Sequence, residues 1–337
     1  MIQKTNITPG ELAVSPGPHA QNWLSANRMM YVILFALILP TAAAIYFFGY
    51  HAISVIAVST VTALITEYLA KRMRGRAFVM DGSAIVAGLL LALLMPPTIP
   101  LWMVAVGAFI AIAIAKEAFG GLGHYIFNPV LGGVAFMHAC FPAEMATWVA
   151  PTGFGSEITS AAAPLSETFA ANTSKLSMLI GDTSGGLGET SALLILIGGI
   201  ILIFLRVIDW RIPLSLITTT FLFSALLGAD PVFHLLTGSL MLGAFFLATD
   251  STTTPLARRG KVVFGIGAGI LLVLMRLYGV TLVEELFGDV VVISLIKEVT
   301  TEGVIYSILL MNAITPLIDR FLKAKPYGFK KAVKGEG

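Results

Sequence analysis

Two stretches concentrate the residue types that could do chemistry. The first is SGGLG (184–188) running into GETSA (188–192), just ahead of an apolar run. Backbone N–H groups at a helix N-terminus, reached through glycines, form a phosphate site. A threonine hydroxyl beside them is available for esterification. The candidates there are Gly188, Thr190 and Ser191. A plainer reading uses the same letters: Thr190 or Ser191 caps a helix, and Glu189 sits favourably near its positive end.

The second stretch is KEAFGGLGHYIFNPV (116–130). Gly120, Gly121 and Gly123 permit close backbone approach, and Asn128-Pro129 is a helix start. Lys116, Glu117, His124 and Asn128 gather polar groups beside a short apolar run. The spacing fails the Rossmann and P-loop patterns, and no strand precedes it. A tight turn is the simpler reading. Asp81 and Asp250, the latter in ATDSTTTP (248–255), mark the ends of apolar runs. With Glu117 they are candidates for an ion path or a cofactor contact, and interfacial capping explains each equally well. Glu67 and Arg276 fall in or near apolar runs, where ionisable groups are costly. Glu67 is one turn from the basic cluster KRMRGR (71–76), which predicts an interfacial salt bridge. Arg276 is near enough to its span's end to snorkel. His51 reads as a loop residue.

The elements that must position these groups are membrane helices. The chain has 337 residues, 57% hydrophobic and 12% charged, with mean hydropathy +0.89. Soluble domains run about 45–50% apolar and about 25% charged, so a soluble globular fold and a disordered chain are both excluded. The single cysteine, Cys140, excludes an internal disulfide and any multi-cysteine metal or iron–sulfur site held by this chain alone.

Ten candidate spans are legible: Met29–Tyr50, Ala52–Ala70, Gly82–Met95, Leu101–Ala115, Pro129–Phe141, Ser191–Leu205, Ile212–Leu227, Val232–Thr249, Val262–Tyr278 and Gly303–Leu317. The short ones bounded by Gly or Pro are tolerated only where protein buries them. Alternating flanks separate the basic residues eighteen to two, which predicts both termini cytoplasmic. The basic clusters then answer to topology and anionic lipid rather than nucleic acid. The predicted fold class is an all-α integral membrane protein, with about ten transmembrane helices in two five-helix halves of inverted topology. The predicted divisions are a cytoplasmic arm (1–28), a first membrane repeat (29–141), an extracytoplasmic loop (142–189), a second membrane repeat (190–320) and a basic tail (321–337). A faint repeat relates DGSAIVAGLLLAL (81–93) to TGSLMLGAFFLATD (237–250). Within residues 281–301, the run VVVISLI (290–296) is too short to span and reads as a small outside element.

Taken together, KEAFGGLG with FNPV, DGSAIVAGLLLALLMPP (81–97), GETSALLILIGG (188–199), FFLATDSTTTP (245–255), GKVVFGIGAGILLVLMRLYG (260–279) and EGVIYSILLMNAITPLID (302–319) resemble one known family. It comprises the D subunit of the Rnf electron-transport complex and the related B subunit of the sodium-pumping NADH:quinone oxidoreductase. The resemblance covers about residues 15–320. It implies a flavin-carrying component of a prokaryotic cytoplasmic-membrane complex coupling ferredoxin–NAD⁺ electron transfer to Na⁺ or H⁺ movement. It implies FMN joined through its phosphate to Thr190 on the outer side, attached by a separate flavin transferase, with Gly188 and Ser191 beside it. It also implies a second, non-covalent flavin (riboflavin or FMN), near Asn128 and the Gly121/Gly123 turn. Two asparagines three apart serve that flavin in the related B subunit. Asn128 matches one, and Tyr125 stands in place of the other. The implied partners are the A, B, C, E and G subunits of Rnf. The competing readings are a flavin-free inverted-repeat channel or transporter and a purely structural docking component.

Overall fold

A computed structural model describes residues 25–151, 173–189, 191–287 and 303–322. Thr190, the N-terminal arm to residue 24, the middle of the 142–189 loop, the run 290–296 and the tail beyond 322 lie outside the described residues. The described elements are all helical. They run α1 (Ala26–Met73), α2 (Ser83–Leu93), α3 (Leu101–Phe109), α4 (Pro129–Cys140), α5 (Pro142–Met145), α6 (Lys175–Ile180), α7 (Ala192–Phe204), α8 (Arg211–Leu226), α9 (Pro231–Leu236), α10 (Leu240–Leu242), α11 (Arg258–Phe287) and α12 (Gly303–Phe321). Wider π-helical turns extend α3 through Ile110–Glu117 and α10 through Gly243–Leu247.

Among the described residues, three helices are long and apolar enough to cross a membrane: Ala26–Met73, Arg258–Gly279 and Gly303–Phe321. Shorter apolar helices cover Ser83–Leu93, Pro129–Cys140, Ala192–Phe204 and Arg211–Leu226. At 1.5 Å per residue an unbroken α1 would run about 70 Å, more than twice a bilayer core. Gly49 (φ 56°, ψ −129°) interrupts it, so two rods of membrane-spanning length meet without a loop. His51 is therefore an exposed helical residue, contrary to its sequence reading as a loop residue. Exposed apolar side chains such as Phe35 (61%), Leu222 (66%) and Leu226 (78%) fit contact with lipid rather than water.

The apolar run expected as one span over Val232–Thr249 is instead broken. Thr237, Gly238 and Ser239 separate α9 from α10, and Gly238 takes φ 67°. Arg276 of α11 donates to the His234 and Thr237 carbonyls at 2.7 and 3.1 Å. These carbonyls are among those that the end of α9 leaves without helical partners. Arg276 is thus held by the protein, where the sequence predicts snorkelling.

α2 forms a buried axis. Every residue in it except Ile85 is buried. Its Gly88 lets α1 approach closely, because a Cβ there would lie 2.8 Å from Thr60 Cα. The same approach lets Ser59 Oγ donate to the Gly88 carbonyl at 2.6 Å. Small residues at such crossings supply the packing that apolar attraction cannot provide in lipid.

Candidate functional site

The two candidate stretches meet opposite ends of α2. At its C-terminal end, Gly188 donates its N–H to the Leu93 carbonyl at 2.6 Å, and Leu187 donates to Met95 at 3.1 Å. Carbonyls in the last turn of a helix need such partners. Residues 183–189 are all buried, and so is Ser191. The Glu189 carboxylate accepts from Gly186 N–H at 3.1 Å, closing the loop on itself. Ser191 is the N-cap of α7, accepting from Leu194 N–H. The backbone on either side of position 190 is therefore fixed by Leu93 and by the start of α7.

At the N-terminal end of α2 lies a network of buried charge. Lys116 is 2% exposed and Glu67 1%. Lys116 Nζ is 2.6 Å from Glu67 Oε1 and donates to Ser83 Oγ, also at 2.6 Å. Ser83 in turn donates, through Oγ and through N–H, to Asp81 Oδ1. Lys71 pairs with Glu67 at 3.1 Å and Asp81 at 3.6 Å. Glu117 pairs with Arg74 at 3.2 Å. The salt bridge predicted for Glu67 exists, but its shortest partner is the buried Lys116 rather than the surface cluster. Sequence reading misses that pairing. Only the adjacency of Lys116 to Glu117 hints at a buried charged group.

Beside this network is a cavity that opens to the protein's surface. Apolar walls come from Met30, Ile33, Leu90, Phe245 and Phe246, and polar groups from Ser83, Lys116, Tyr125, Asn128 and Asp250. Asn128 is fixed twice. Its Oδ1 accepts from Val130 N–H at the start of α4, and its Nδ2 donates to the Leu247 carbonyl at 3.1 Å. Tyr125 hydroxyl donates to Asp250 Oδ1 at 3.3 Å. Asp250 also accepts from Thr252 N–H.

Of the predicted residues, Asn128 and Asp250 share the cavity wall. Asp81 is one hydrogen bond from it, through Ser83. Gly121 and Gly123, at φ 93° and 90°, shape the turn outside the lining, and Glu117 packs beneath Gly121. Gly188 and Ser191 are not in the lining; Gly188 bonds Leu93, three residues beyond Leu90 of the cavity wall. α7 runs from its N-cap Ser191, beside the first stretch, to Leu202 in the cavity wall.

The sequence profile of the NQR2, RnfD, RnfE family matches residues 13–287 and 286–328. The chain belongs to this family. Among its relatives is the D subunit of the proton-translocating ferredoxin:NAD(+) oxidoreductase complex of Clostridium ljungdahlii, 38% identical over 98% of this chain and 100% of the relative. The D subunit of the Na(+)-translocating ferredoxin:NAD(+) oxidoreductase complex of Acetobacterium woodii is 38% identical over 96% of this chain and 97% of its own length. The D subunit of the ion-translocating oxidoreductase complex of Methanosarcina acetivorans is 33% identical over 94% and 96%. These relatives are named as subunits of multisubunit oxidoreductases, so membership places the chain among membrane redox components rather than lone carriers.

Proposed function

We propose that this chain is the flavin-carrying D-type component of an ion-translocating ferredoxin:NAD⁺ oxidoreductase complex. FMN is esterified to Thr190 by a separate flavin transferase, and a second flavin, riboflavin or FMN, occupies the Asn128 cavity. The chain lies in a prokaryotic cytoplasmic membrane with both termini cytoplasmic, in two halves of opposite orientation. It works with subunits of types A, B, C, E and G. The observation that carries the reading is full-length similarity to D subunits, joined to two built sites at opposite ends of α2.

The residues present fit these groups. Around position 190, the N-terminus of α7 favours a phosphate. Glu189, which would repel it, is turned onto Gly186. The cavity lining combines apolar groups from Phe245, Phe246 and Leu90 with hydrogen-bonding groups from Ser83, Lys116, Tyr125, Asn128 and Asp250. A flavin supplies the electron-transfer chemistry, while the protein supplies position and electrostatics. The ester prevents loss of an outward-facing cofactor. α2 and α7 each run from the neighbourhood of position 190 into the cavity wall, through Leu90 and Leu202, and Asp250 follows the π-helical turns that carry Phe245 and Phe246.

Ion coupling requires two states that differ in ion affinity. Asp81 and Glu117 already have basic partners. Asp250 has none among the described residues, which makes it the first of the three to test.

The test is in-gel ultraviolet fluorescence after denaturing electrophoresis, on wild type and Thr190→Ala co-expressed with a flavin transferase. A fluorescent wild-type band absent from the variant is expected. A dark wild-type band, from cells that flavinylate a control protein, overturns the reading and favours a flavin-free transporter.

A further inference from the structure

A lysine ammonium has three N–H donors. Lys116 commits one to Glu67 Oε1 and one to Ser83 Oγ, both at 2.6 Å. Its third N–H has no partner among the described residues, and Lys116 lines the cavity. A buried cation with an uncommitted donor, on a side chain that lines a cavity, can recognise an anion. Asp250 and the Tyr125 hydroxyl bonded to it belong to the same lining. The cavity thus offers a cation and a carboxyl group, which would orient an asymmetric ligand.

We propose that Lys116 binds the second flavin directly, through its third N–H, and favours the reduced form over the oxidised form. The inference rests on assignment of the cavity to that flavin. Uptake of two electrons and one proton leaves the isoalloxazine ring with one negative charge, spread over its N1 and C2-carbonyl edge. The electrons come from ferredoxin through partner subunits and leave towards NAD⁺. Lys116 keeps its own protons throughout. It interacts more strongly with the anionic form than with the neutral one, so it shifts the equilibrium towards reduction. Glu67 and Ser83 are positioning residues. They hold the ammonium at the wall and partly balance its charge.

The experiment uses the whole purified complex and compares Glu67→Gln with the double variant Lys116→Met/Glu67→Gln. Both lack the Glu67 charge; because Glu67→Gln alone leaves the Lys116 ammonium without its carboxylate, wild type is measured beside both. The readouts are extractable flavin, the midpoint potential of the non-covalent flavin, and covalent fluorescence as a check of assembly. The double variant is expected to lose at least ~10-fold in preference for the reduced form, a potential lower by about 30 mV for a two-electron couple. Loss of extractable flavin from the double variant alone, with covalent fluorescence intact, also supports direct contact. Equal potentials with equal flavin content overturn the role of Lys116. A wild-type complex with no extractable flavin overturns the cavity assignment, and this inference with it. If the methionine pair fails to assemble, Lys116→Gln/Glu67→Gln removes the same charges, keeps an amide pair and is read identically.

Discussion

The Gly188 N–H meets the Leu93 carbonyl at 2.6 Å, and a Cβ on Gly188 would lie 2.6 Å from Leu93 Cβ. Nothing larger than glycine fits without moving either the loop or the end of α2. Gly188→Ala is expected to displace the 183–189 loop and to cost about 1–3 kcal/mol, the usual penalty of overpacking. Flavin fluorescence per unit of protein should fall well below wild type, because position 190, the proposed acceptor, follows two residues later. Thermal unfolding in detergent, read beside the fluorescence, checks both. Wild-type values in both measurements would show that α2 does not set this loop.

The Glu67–Lys116 pair is buried at both ends. Removing one partner strands a charge, which costs about 3–5 kcal/mol, whereas removing both is far cheaper. Glu67→Ala alone is therefore expected to destabilise more than Lys116→Met/Glu67→Gln. Ser83→Ala should cost only about 1–3 kcal/mol, since it removes one hydrogen-bonding group. Thermal unfolding of the four proteins tests the order. A double variant worse than Glu67→Ala would contradict it.

Asp209 joins α7 to α8 and α11 at a loop outside the helices. It is bonded to Lys261 and to Arg211, each at 3.1 Å. Burial pushes its carboxyl upward, but the Arg211 N–H, Lys261 and the Arg211 charge outweigh this and hold it below the ordinary aspartate value. A depressed folded pKa stabilises fully above the unfolded value. That stabilisation disappears as pH falls through the lower, folded value. Wild type should exceed Asp209→Asn in stability by a constant margin from neutral pH to roughly pH 5, and the margin should shrink below about pH 4. Unfolding temperatures across that range decide it. A margin that grows on acidification would reverse the sign.

The sequence carries the ends of elements better than their interiors. Asn128-Pro129 marks the start of α4, and Asn128 accepts from Val130 N–H there. Gly82 and Ser83 open the short α2. The break at Gly238 is hidden, because apolar letters on both sides read as one span and only tertiary contact with Arg276 holds the gap. Gly49 reads as part of a span end, yet it joins two helices without a loop. The cavity is legible in the sequence through its polar part, Lys116, Tyr125, Asn128 and Asp250. Its apolar wall uses Phe245 and Phe246, ordinary letters in an apolar run, and Lys116 meets Glu67 from 49 positions away. Periodicity cannot reveal pairs formed between separate helices.

Tyr125 ties the glycine turn to the opposite side of the cavity. Its hydroxyl donates to Asp250 across the cavity wall at 3.3 Å, and its ring is buried at 8% exposure. Tyr125→Phe keeps the ring and removes that donor, leaving Thr252 N–H as the remaining described donor to Asp250. A hydrogen bond to a charged group contributes about 1.5–3 kcal/mol, so release of Asp250 should loosen the wall it forms. The ratio of extractable to covalent flavin is expected to fall roughly 10-fold, the equivalent of ~1.4 kcal/mol in binding. Covalent fluorescence should be unchanged, because Gly188, just before the proposed acceptor position, bonds Leu93 at the C-terminal end of α2. Tyr125→Asn, which supplies an amide at the same position, should recover part of the retained flavin. An unchanged ratio in Tyr125→Phe would mean that Asp250 is held without Tyr125 and that the tyrosine only fills space.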